Sequence, residues 1–436
     1  MRIIHKNIDI KLESLLLYEA YKGDIDMLVQ FKFKNYGSFK DEAVFDMRAI
    51  KTYKEHLYNV AGADSKLPIL KVATVYGANA SGKSTFVSAY RSFLDISKKS
   101  FEVKDKYGEN NGANIKSILA EHYNPFRFSN GSDHEDSEFE ATFLRDNIEY
   151  KYGFSYNDKR INYEWLYKKS INSGKRTKIL ERSPTFIELG ASIKSACDKY
   201  KQDIADDCLA LSFFSSLKIK TRVFYETLDS IRGILPAKLF YSESIDRLND
   251  LYFTQDFSEK ERIELLKFLK AIDVDIKDIL VEKFNEKTVV STFHENEEGD
   301  LTKIPFELES DGTQKAIAVF SLVKLAVKYG RGLIIDELNS QLHPLLLKYL
   351  VDFFYTEGTY GQLIFTTHNT SLLDKRYLRR DQIWFVDKKS GKSSLFSLSD
   401  FKPRNDASFE KEYLSGTFGA IPRFLDYEIE DEIDGE

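Results

Sequence analysis

The apolar positions between residues 69 and 94 predict a strand, a tight loop and a helix, in that order. Residues 69–76, Ile-Leu-Lys-Val-Ala-Thr-Val-Tyr, are mostly apolar and stop at a glycine, as expected of a buried strand. After a glycine-containing loop, apolar side chains recur at the spacing of an amphipathic helix, at Phe86, Val87, Tyr90, Phe93 and Leu94. A buried strand that leads through a glycine loop into a helix is typical of α/β proteins.

Residues 137–170 follow a different pattern, in which apolar and polar positions alternate along three stretches separated by polar turns. The apolar members are Phe139, Ala141, Phe143, Ile148, Tyr150, Tyr152, Phe154, Ile161, Tyr163, Trp165 and Tyr167. A period of two residues is typical of half-buried strands, so this region predicts an antiparallel meander. A similar alternation at Val29, Phe31 and Phe33 predicts a strand directly after Met27. Residues 190–270 instead carry helical spacing and predict a helical insertion.

The last third of the chain returns to helices that alternate with short buried strands. Helices are predicted over residues 315–329, which are apolar on nearly every side, and over residues 345–354, which Pro344 introduces. Short apolar runs at residues 333–335, 363–365 and 383–386 predict buried strands. The predicted fold class is therefore α/β, with an antiparallel β lobe and a helical insertion.

This pattern divides the chain into five segments. They are an N-terminal extension (1–27), an N-terminal lobe with the glycine loop and the meander (28–185), the helical insertion (186–280), a C-terminal α/β lobe (281–424) and an acidic tail (425–436). Within the extension, Leu12, Leu15, Leu16 and Tyr21 are spaced to lie on one side of a short helix.

The composition is that of a globular protein, with 42% hydrophobic and 30% charged residues and a net charge of −6. A chain with this balance is not a general polyanion binder, so contact with nucleic acid would need a local basic patch. The two cysteines, Cys197 and Cys208, lack zinc-finger spacing and are predicted to be reduced thiols. No apolar run reaches the length of a membrane helix, about 18 residues, and the first residues lack the apolar core of a signal peptide, so we expect a cytoplasmic protein.

The glycine loop, Gly77-Ala-Asn-Ala-Ser-Gly-Lys-Ser-Thr85, fits the phosphate-loop pattern. Its glycines allow a tight turn, in which successive backbone N–H groups can point at phosphate oxygens. Lys83 is predicted to reach the outer phosphates of a nucleotide, and the Ser84 hydroxyl to ligate Mg²⁺. The predicted nucleotide-binding residues are Gly77, Asn79, Gly82, Lys83, Ser84 and Thr85. The strand before the loop and the helix after it supply the context that this motif requires.

An acidic pair, Asp336 and Glu337, follows the short buried strand at residues 333–335. By itself, such a pair could be an ordinary strand end. Together with a phosphate loop it predicts a metal-holding carboxylate, Asp336, and a general base for the attacking water, Glu337.

Two further segments are candidate parts of the same site. His368 follows the strand at residues 363–365 and is predicted to contact the terminal phosphate or to orient water, although a surface histidine is the alternative. Residues 309–315 open the apolar helix, with Ser310 or Asp311 as its N-cap and Gly312 allowing close backbone approach. A helix N-terminus with a serine hydroxyl can bind an anion, but a plain cap explains the same residues.

In this order, the four segments resemble ABC-type ATPases of the SMC/RecF-like branch. The resemblance implies an ABC-type P-loop ATPase head that uses ATP and Mg²⁺, in which two heads close head to tail over two ATP molecules. It implies that Ser310, Gly312 and Gln314 contact the ATP of the partner subunit, and that His368 is the switch histidine. It also implies that residues 338–344, Leu-Asn-Ser-Gln-Leu-His-Pro, are the D-loop.

More narrowly, the chain resembles bacterial AAA-type proteins of the RloA-like group, which are similar to ATPase subunits of anti-phage defence systems such as PARIS and Septu. The stretches that carry this resemblance are residues 31–39, 76–85, 309–314, 381–385 and 413–422. Two departures accompany it. No convincing Q-loop glutamine follows the phosphate loop, where Asn124-Pro-Phe126 is the stand-in, and no long coiled coil separates the two lobes.

Several functions stay open at this stage. The resemblance implies a defence ATPase that forms a homodimer or a larger homo-oligomer and controls a separate effector, a nuclease, with DNA or a phage protein as the trigger and no membrane partner. The alternative is a DNA-repair or DNA-sensing ATPase, with the basic clusters at residues 168–169, 175–178 and 218–222 as candidate contacts. A transporter subunit fits less well, given the atypical signature and the missing Q-loop. A nuclease with its own active site would have to cut without a partner.

Overall fold

The structure is a computed structural model, and it describes most of the chain. The described residues are 26–101, 117–129, 131, 134–217, 219–238, 252–253, 257–284, 287–339, 342–356, 360–401 and 408–421. The predicted helix in the N-terminal extension and the predicted acidic tail both lie outside these residues.

Eighteen strands and nine α-helices lie within the described residues. The strands are β1 (Asp26–Lys34), β2 (Ala43–Asp46), β3 (Val60–Ala61), β4 (Ile69–Leu70), β5 (Val72–Tyr76), β6 (Ser137–Arg145), β7 (Ile148–Tyr156), β8 (Ile161–Ser170), β9 (Arg176–Ser183), β10 (Phe186–Leu189), β11 (Ile234–Lys238), β12 (Asp278–Phe284), β13 (Lys287–Glu295), β14 (Leu301–Pro305), β15 (Gly332–Asp336), β16 (Gln362–Thr367), β17 (Ile383–Lys389) and β18 (Lys392–Ser397). The helices are α1 (Lys83–Lys99), α2 (Ile118–His122), α3 (Ala191–Cys197), α4 (Ala210–Ser216), α5 (Val223–Arg232), α6 (Glu259–Ala271), α7 (Asp311–Tyr329), α8 (Pro344–Tyr355) and α9 (Phe409–Leu414).

The central sheet has six strands in the order β11-β15-β16-β5-β17-β18. The first five are parallel to their neighbours, and β18 returns antiparallel to β17. Its strands are apolar at nearly every position because both faces of the sheet are covered. The α/β fold class predicted from the sequence is confirmed.

The two faces of this sheet pack into two separate cores. In β15, Leu333 and Ile335 join one core, whereas Ile334 joins the other. The same alternation holds in β16, β5 and β17, because successive side chains of a strand point to opposite faces. The central sheet is therefore the middle layer of the molecule.

A seven-stranded antiparallel sheet, in the order β10-β9-β8-β7-β6-β1-β2, covers one core. Between the two sheets lies α1, whose Phe93 packs its ring 5.8 Å from those of Phe31 and Phe154. The meander predicted over residues 137–170 is β6, β7 and β8, with paired neighbours in that order. The helix that follows the phosphate loop, α1, is thus packed between the central sheet and the seven-stranded antiparallel sheet.

Helices α6, α7 and α8 cover the opposite face of the central sheet. The rings of Phe268 on α6 and Phe320 on α7 stack at 4.2 Å, and Phe320 also contacts Phe353 on α8. A small sheet in the order β12-β13-β14 lies next to α6 and directly precedes α7. This layer fixes where the N-terminus of α7 lies.

The segment predicted as a helical insertion, residues 186–280, differs in part from that description. It contains α3, α4, α5 and α6, but also β10, the edge strand of the antiparallel sheet. It also contains β11, which pairs in parallel with β15 along five residues. Part of this segment therefore belongs to the two main sheets. Helical spacing in neighbouring stretches concealed these short strands.

Two further sequence expectations concern cysteines and membranes. Cys197 and Cys208 are both buried and free, and burial raises the pKa of the Cys208 thiol to about 12. Within the described part of the chain, no helix combines the length and apolarity needed to cross a membrane.

Candidate functional site

The phosphate loop, residues 77–85, joins β5 to α1 as the sequence predicted. Its backbone takes conformations that favour glycine, with φ of 121° at Gly82, and Ala80 has a φ of 59°. A Cβ atom at Gly77 would lie 2.5 Å from the carbonyl oxygen of Val386, so this position tolerates only glycine. Residues 77–82 lead into the N-terminus of a 17-residue helix, which is where backbone N–H groups attract phosphate.

Lys83 is the first residue of α1, and its side chain folds back over the loop. Its Nζ donates hydrogen bonds to the carbonyl oxygens of Gly77 at 2.7 Å and Ala78 at 2.9 Å. Burial lowers the pKa of this ammonium group, and the negative charges of Glu337 and Asp336 oppose that shift. The interaction places the lysine within electrostatic reach of the acidic pair, from which it is 253 and 254 positions away in the sequence.

The acidic pair lies where β15 ends, and a threonine on the neighbouring strand holds both residues. The hydroxyl of Thr366 donates to Asp336 Oδ1 at 2.7 Å and accepts the backbone N–H of Glu337, also at 2.7 Å. Asp336 is 1% exposed, whereas Glu337 is half-buried and has a φ of 45°. A positive φ is unusual for a side chain of this size, and Thr366 compensates by satisfying the N–H of that residue. One hydroxyl thus fixes the carboxylate of Asp336 and the backbone of Glu337.

His368 lies two residues beyond Thr366, at the exposed end of β16. Its Nε2 is 3.4 Å from Nδ2 of Asn339, and the Oδ1 of Asn339 accepts a hydrogen bond from Thr367 at 2.7 Å. Because an amide nitrogen can only donate, this arrangement leaves His368 Nε2 as the acceptor. Asn339 belongs to the predicted D-loop and so connects that loop to the histidine.

Strand order explains why these residues meet. The phosphate loop follows β5, His368 follows β16 and the acidic pair ends β15, and these three strands are neighbours in the order β15-β16-β5. The register pairs Ile335 with Phe365 and Thr367 with Tyr76, so the three strands stop at one level. The carboxyl ends of parallel strands form one edge, where open α/β sheets bind their ligands.

The signature segment, residues 310–314, lies at the N-terminus of α7. Ser310 is the N-cap residue, and its hydroxyl accepts the backbone N–H of Thr313 at 3.2 Å. Gln314 turns back and donates to the carbonyl oxygen of Glu309 at 2.9 Å. Ser310 and Gly312 are exposed, so the segment presents its hydroxyl and helix end to solvent. Of the two candidate caps, Ser310 and Asp311, Ser310 is the N-cap and Asp311 is the first helical residue.

The second turn of α7 connects this segment to the acidic pair. Lys315 is 1% exposed; burial lowers the pKa of its ammonium group, and the charge of Glu337 opposes the shift. The N-terminal part of α7 therefore lies near Glu337 of the same chain, while Ser310 points to the surface.

The side chains at the sheet edge suit a magnesium nucleotide. Ser84 is an exposed hydroxyl in the first turn of α1, and Asp336 supplies a carboxylate at the same edge of the central sheet. Mg²⁺ prefers oxygen ligands of this kind and retains several waters, so two protein ligands suffice. Within the described residues, at the sheet edge and elsewhere, no group of three or more His, Cys, Asp or Glu side chains could hold a metal ion.

Sequence reasoning missed several residues that shape this site. Thr366 and Asn339 belong to runs already singled out, Thr-Thr-His and Leu-Asn, and polar side chains at strand ends were the available signal. Ser393 was not detectable in the sequence, because it lies on β18 and reaches across to the loop. Its hydroxyl donates to the carbonyl oxygen of Ser81 at 2.5 Å and contacts the Ser38 hydroxyl at 2.7 Å.

Asn124, the stand-in for a Q-loop glutamine, lies close to the phosphate loop. Its carbonyl oxygen accepts the N–H of Gly37 at 2.6 Å. A Cβ atom built on Gly37 would lie 2.5 Å from Thr85 and 3.5 Å from the Asn124 amide nitrogen, so all three residues are adjacent.

Two lysines of the basic clusters proposed as DNA contacts are paired with acids. On β8 and β9, Lys169 lies 3.6 Å from Glu149, and Lys178 lies 2.7 Å from Glu188. Arg176 stacks over the Tyr167 ring. Lys218, in the second cluster, lies outside the described residues. Paired cations offer less net positive charge to a phosphate backbone.

Comparison with solved structures finds distant likeness. The SMC head domain from Thermotoga maritima matches with a TM-score of 0.39 and 13% identity, covering 85% of this chain and 98% of that chain. An Smc head bound to the C-winged helix domain of ScpA matches with a TM-score of 0.37 and 12% identity, over 86% and 99% of the two chains. An Smc head with an extended coiled coil, bound to the C-terminal domain of ScpA derived from Pyrococcus furiosus, gives 0.37 and 13%, over 90% and 99%. TM-scores below 0.5 carry no argument by themselves.

The family comparison is more decisive. No curated protein matches the chain. Residues 72–374, which are more than half of the chain and include the phosphate loop, the signature segment, the acidic pair and His368, match one family along their whole length. The chain belongs to the family described as "AAA domain, putative AbiEii toxin, Type IV TA system".

Proposed function

We propose that this protein is an Mg²⁺-dependent ATP hydrolase whose complete active site forms between two copies of the chain. The observation that carries the proposal is the cluster at the sheet edge. Lys83, Asp336, Glu337 and His368 come from three neighbouring strand ends, and Thr366 binds the carboxylate of Asp336 and the backbone N–H of Glu337. A phosphate loop facing a strand-end acidic pair is the arrangement that phosphoryl transfer requires.

Each residue has a role that its position supports. Backbone N–H groups of the phosphate loop and the Lys83 ammonium would bind the phosphates of ATP, and Ser84 and Asp336 would hold Mg²⁺. When bound, Mg²⁺ would supply positive charge beside the transferred phosphoryl group. Glu337 would accept a proton from the attacking water, and His368, oriented by Asn339, would contact the terminal phosphate. Catalysis of this kind depends mainly on positioning and electrostatics.

The signature segment supports a site shared by two copies. Ser310 is exposed at the N-terminus of α7, so it is accessible to a nucleotide bound by another copy. Gly312 leaves open space around its backbone, since the nearest atom to a Cβ built there would be 3.8 Å away. In a head-to-tail dimer with two ATP molecules, the N-terminus of α7 in each copy would bind phosphate of the ATP held by the other copy.

At the level of the cell, we propose that ATP binding and hydrolysis control a separate effector protein, a nuclease, in anti-phage defence. The family description, which names an abortive-infection toxin of a type IV toxin–antitoxin system, supports a role in defence. The pairing of Lys169 and Lys178 with acids lowers the net positive charge that these positions offer to DNA, which counts against a DNA-repair clamp.

The experiment is a tagged pull-down of the full chain from native cells with ATP, followed by mass spectrometry and sizing of the complex. Parallel hydrolysis assays compare the wild type with Lys83→Ala. We expect ATP hydrolysis that needs Lys83, and a stoichiometric protein partner. Hydrolysis that survives Lys83→Ala would refute the enzymatic proposal, and recovery of the chain with DNA alone would refute the effector.

A further inference from the structure

A small sheet stands directly before the signature segment and is joined to it through one carboxylate. Strands β12, β13 and β14 form this sheet, and a short turn of 3-10 helix, Phe306–Leu308, links β14 to Glu309 and Ser310. Glu309 lies between this sheet and the first turn of α7, so its side chain can contact one while its backbone contacts the other.

The Glu309 carboxylate is bound by two side chains of the central strand, β13. Its Oε1 lies 2.6 Å from Nε2 of His294 and also accepts the hydroxyl of Thr292. Thr292 is fully buried, and the Glu309 side chain is 9% exposed. Hydrogen bonds to an ionised, nearly buried carboxylate are stronger than neutral ones, so this contact resists local movement.

The backbone of the same residue binds the signature segment. The Glu309 carbonyl oxygen accepts the amide of Gln314 at 2.9 Å, and Ser310, the next residue, caps α7. The N-cap bond and the Gln314 bond keep the helix start folded, but neither of them joins it to the sheet. The Glu309 side chain does contact the sheet, through His294 and Thr292 of β13.

We propose that His294 and Glu309 are positioning residues for the signature, which fix the direction in which Ser310 faces the nucleotide of a second copy. The inference rests on the proposed function, because the contact between Glu309 and His294 has this role only if Ser310 acts on a partner's ATP. The small sheet then acts as the support of the signature. A movement of β13 changes hydrolysis in the neighbouring copy while ATP binding by the chain's own phosphate loop stays intact.

The test uses the full chain with Glu309→Ala and, separately, His294→Ala. Removing hydrogen bonds to a charged group is expected to lower kcat about tenfold to hundredfold. Binding of a fluorescent ATP analogue to the isolated chain should be unchanged. The conservative variants Glu309→Gln and His294→Gln retain hydrogen-bonding groups and should restore much of the rate. Glu282→Ala is the matched control, because it removes an exposed carboxylate that pairs with Lys303 at 2.7 Å on the same sheet.

Mixing experiments separate this role from simple loss of structure. Glu309→Ala retains its own phosphate loop, and Lys83→Ala retains its signature, so a mixed dimer holds one complete site. We expect the mixture to hydrolyse ATP faster than the sum of the two variants alone. Ser310→Ala mixed with Lys83→Ala is the reference and should recover in the same way.

Each outcome has a defined meaning. If the Ser310→Ala mixture recovers but the Glu309→Ala and His294→Ala mixtures do not, the positioning role is overturned and the shared site stands. If the Ser310→Ala mixture does not recover ATP hydrolysis, the shared site is refuted, and the proposed role of the Glu309–His294 contact is refuted as well. Should Glu309→Ala fail to fold, His294→Ala and the two glutamine variants decide the question by the same assays.

Discussion

The sheet-edge cluster and the signature segment differ in how completely one chain builds them. At the sheet edge, Asp336 is 1% exposed and Lys83 is 4% exposed, and both are held by hydrogen bonds within the chain. At the start of α7, Ser310 and Gly312 are exposed, and the nearby Leu308 side chain is 73% exposed. One half of the site is complete in a single chain, and the other half faces outward.

This difference has a physical basis. Burial strengthens electrostatic interactions and therefore suits groups that must be oriented before a substrate arrives. An exposed helix end, in contrast, can bind an anion that another molecule brings to it. The comparison predicts that substitutions at the sheet edge act on the chain's own nucleotide, while substitutions at the signature act only when two copies meet.

The largest effect is expected for Lys83→Ala. The ammonium group spans the loop that would receive the phosphates, so its removal should abolish ATP binding. The measurement is a titration with a fluorescent ATP analogue by an isolated chain at low concentration. Lys324→Ala on α7, which pairs with Glu264 at 2.9 Å away from the loop, is the control. Affinity equal to the wild type would contradict the phosphate-loop assignment.

Next in size is Glu337→Gln. Loss of the general base should lower turnover about 10²–10⁴-fold while ATP binding is retained. The trapped ATP should also stabilise the dimer, which size-exclusion chromatography with and without ATP can measure. Glu298→Gln, an exposed position in the turn between β13 and β14, should leave both properties unchanged. Unaltered turnover in Glu337→Gln would remove this residue from the role of base.

Substitutions of Ser310 test the exposed half of the proposed site. Ser310→Ala should lower turnover roughly tenfold to hundredfold through loss of a hydrogen bond to a charged phosphate. It should cost about 1 kcal/mol of stability through the lost N-cap. Ser310→Asp retains the cap but places a carboxylate against phosphate, so it should be more stable than Ser310→Ala and less active. Ser258→Ala, which removes the equivalent cap of α6, is the control. Weaker ATP binding by the isolated Ser310→Ala chain would mean that this residue contacts the nucleotide of its own chain, which contradicts the proposal.

The smallest effect is expected for Thr366→Val, which has nearly the same shape. It removes the hydroxyl that joins Asp336 to the N–H of Glu337 and leaves buried polar groups unsatisfied, at a cost of about 1–3 kcal/mol. Thermal unfolding should show the lost stability, and turnover should fall more than ATP affinity. If the thermal unfolding midpoint of Thr366→Val equals that of the wild type, the hydroxyl does not hold the acidic pair.

Much of the fold was predictable because its signals are local. The phosphate loop, the meander and the apolar helix at residues 315–329 each depend on neighbours within a few residues, and each was found where predicted. Strand β11 was missed because its five residues pair with β15 almost a hundred positions away, in a region dominated by helical spacing. Residues 234–238, within the segment predicted as the helical insertion, are therefore part of the central sheet.

The candidate site likewise combines residues with local sequence signals and residues whose contacts are distant in the sequence. Gly77, Lys83 and Ser84 could be assigned from the sequence, since a phosphate loop is a continuous segment whose spacing carries its chemistry. Ser393 could not be assigned, because its contact runs from β18 to the phosphate loop, and contacts of that kind depend on strand order and register.

The sequence by itself determined which chemical groups are present and the local elements that carry them: a phosphate loop, an acidic pair, a histidine and a capped helix. The tertiary structure decided their relations. It placed β16 between β5 and β15, so that the Thr366 hydroxyl binds the carboxylate of Asp336 and the backbone N–H of Glu337, and it brought the Glu309 side chain to His294 of the small sheet. The reason is physical. Local elements follow from backbone preferences and side-chain spacing, whereas these contacts span 15 to 30 positions and exist only after the strands have paired in one register.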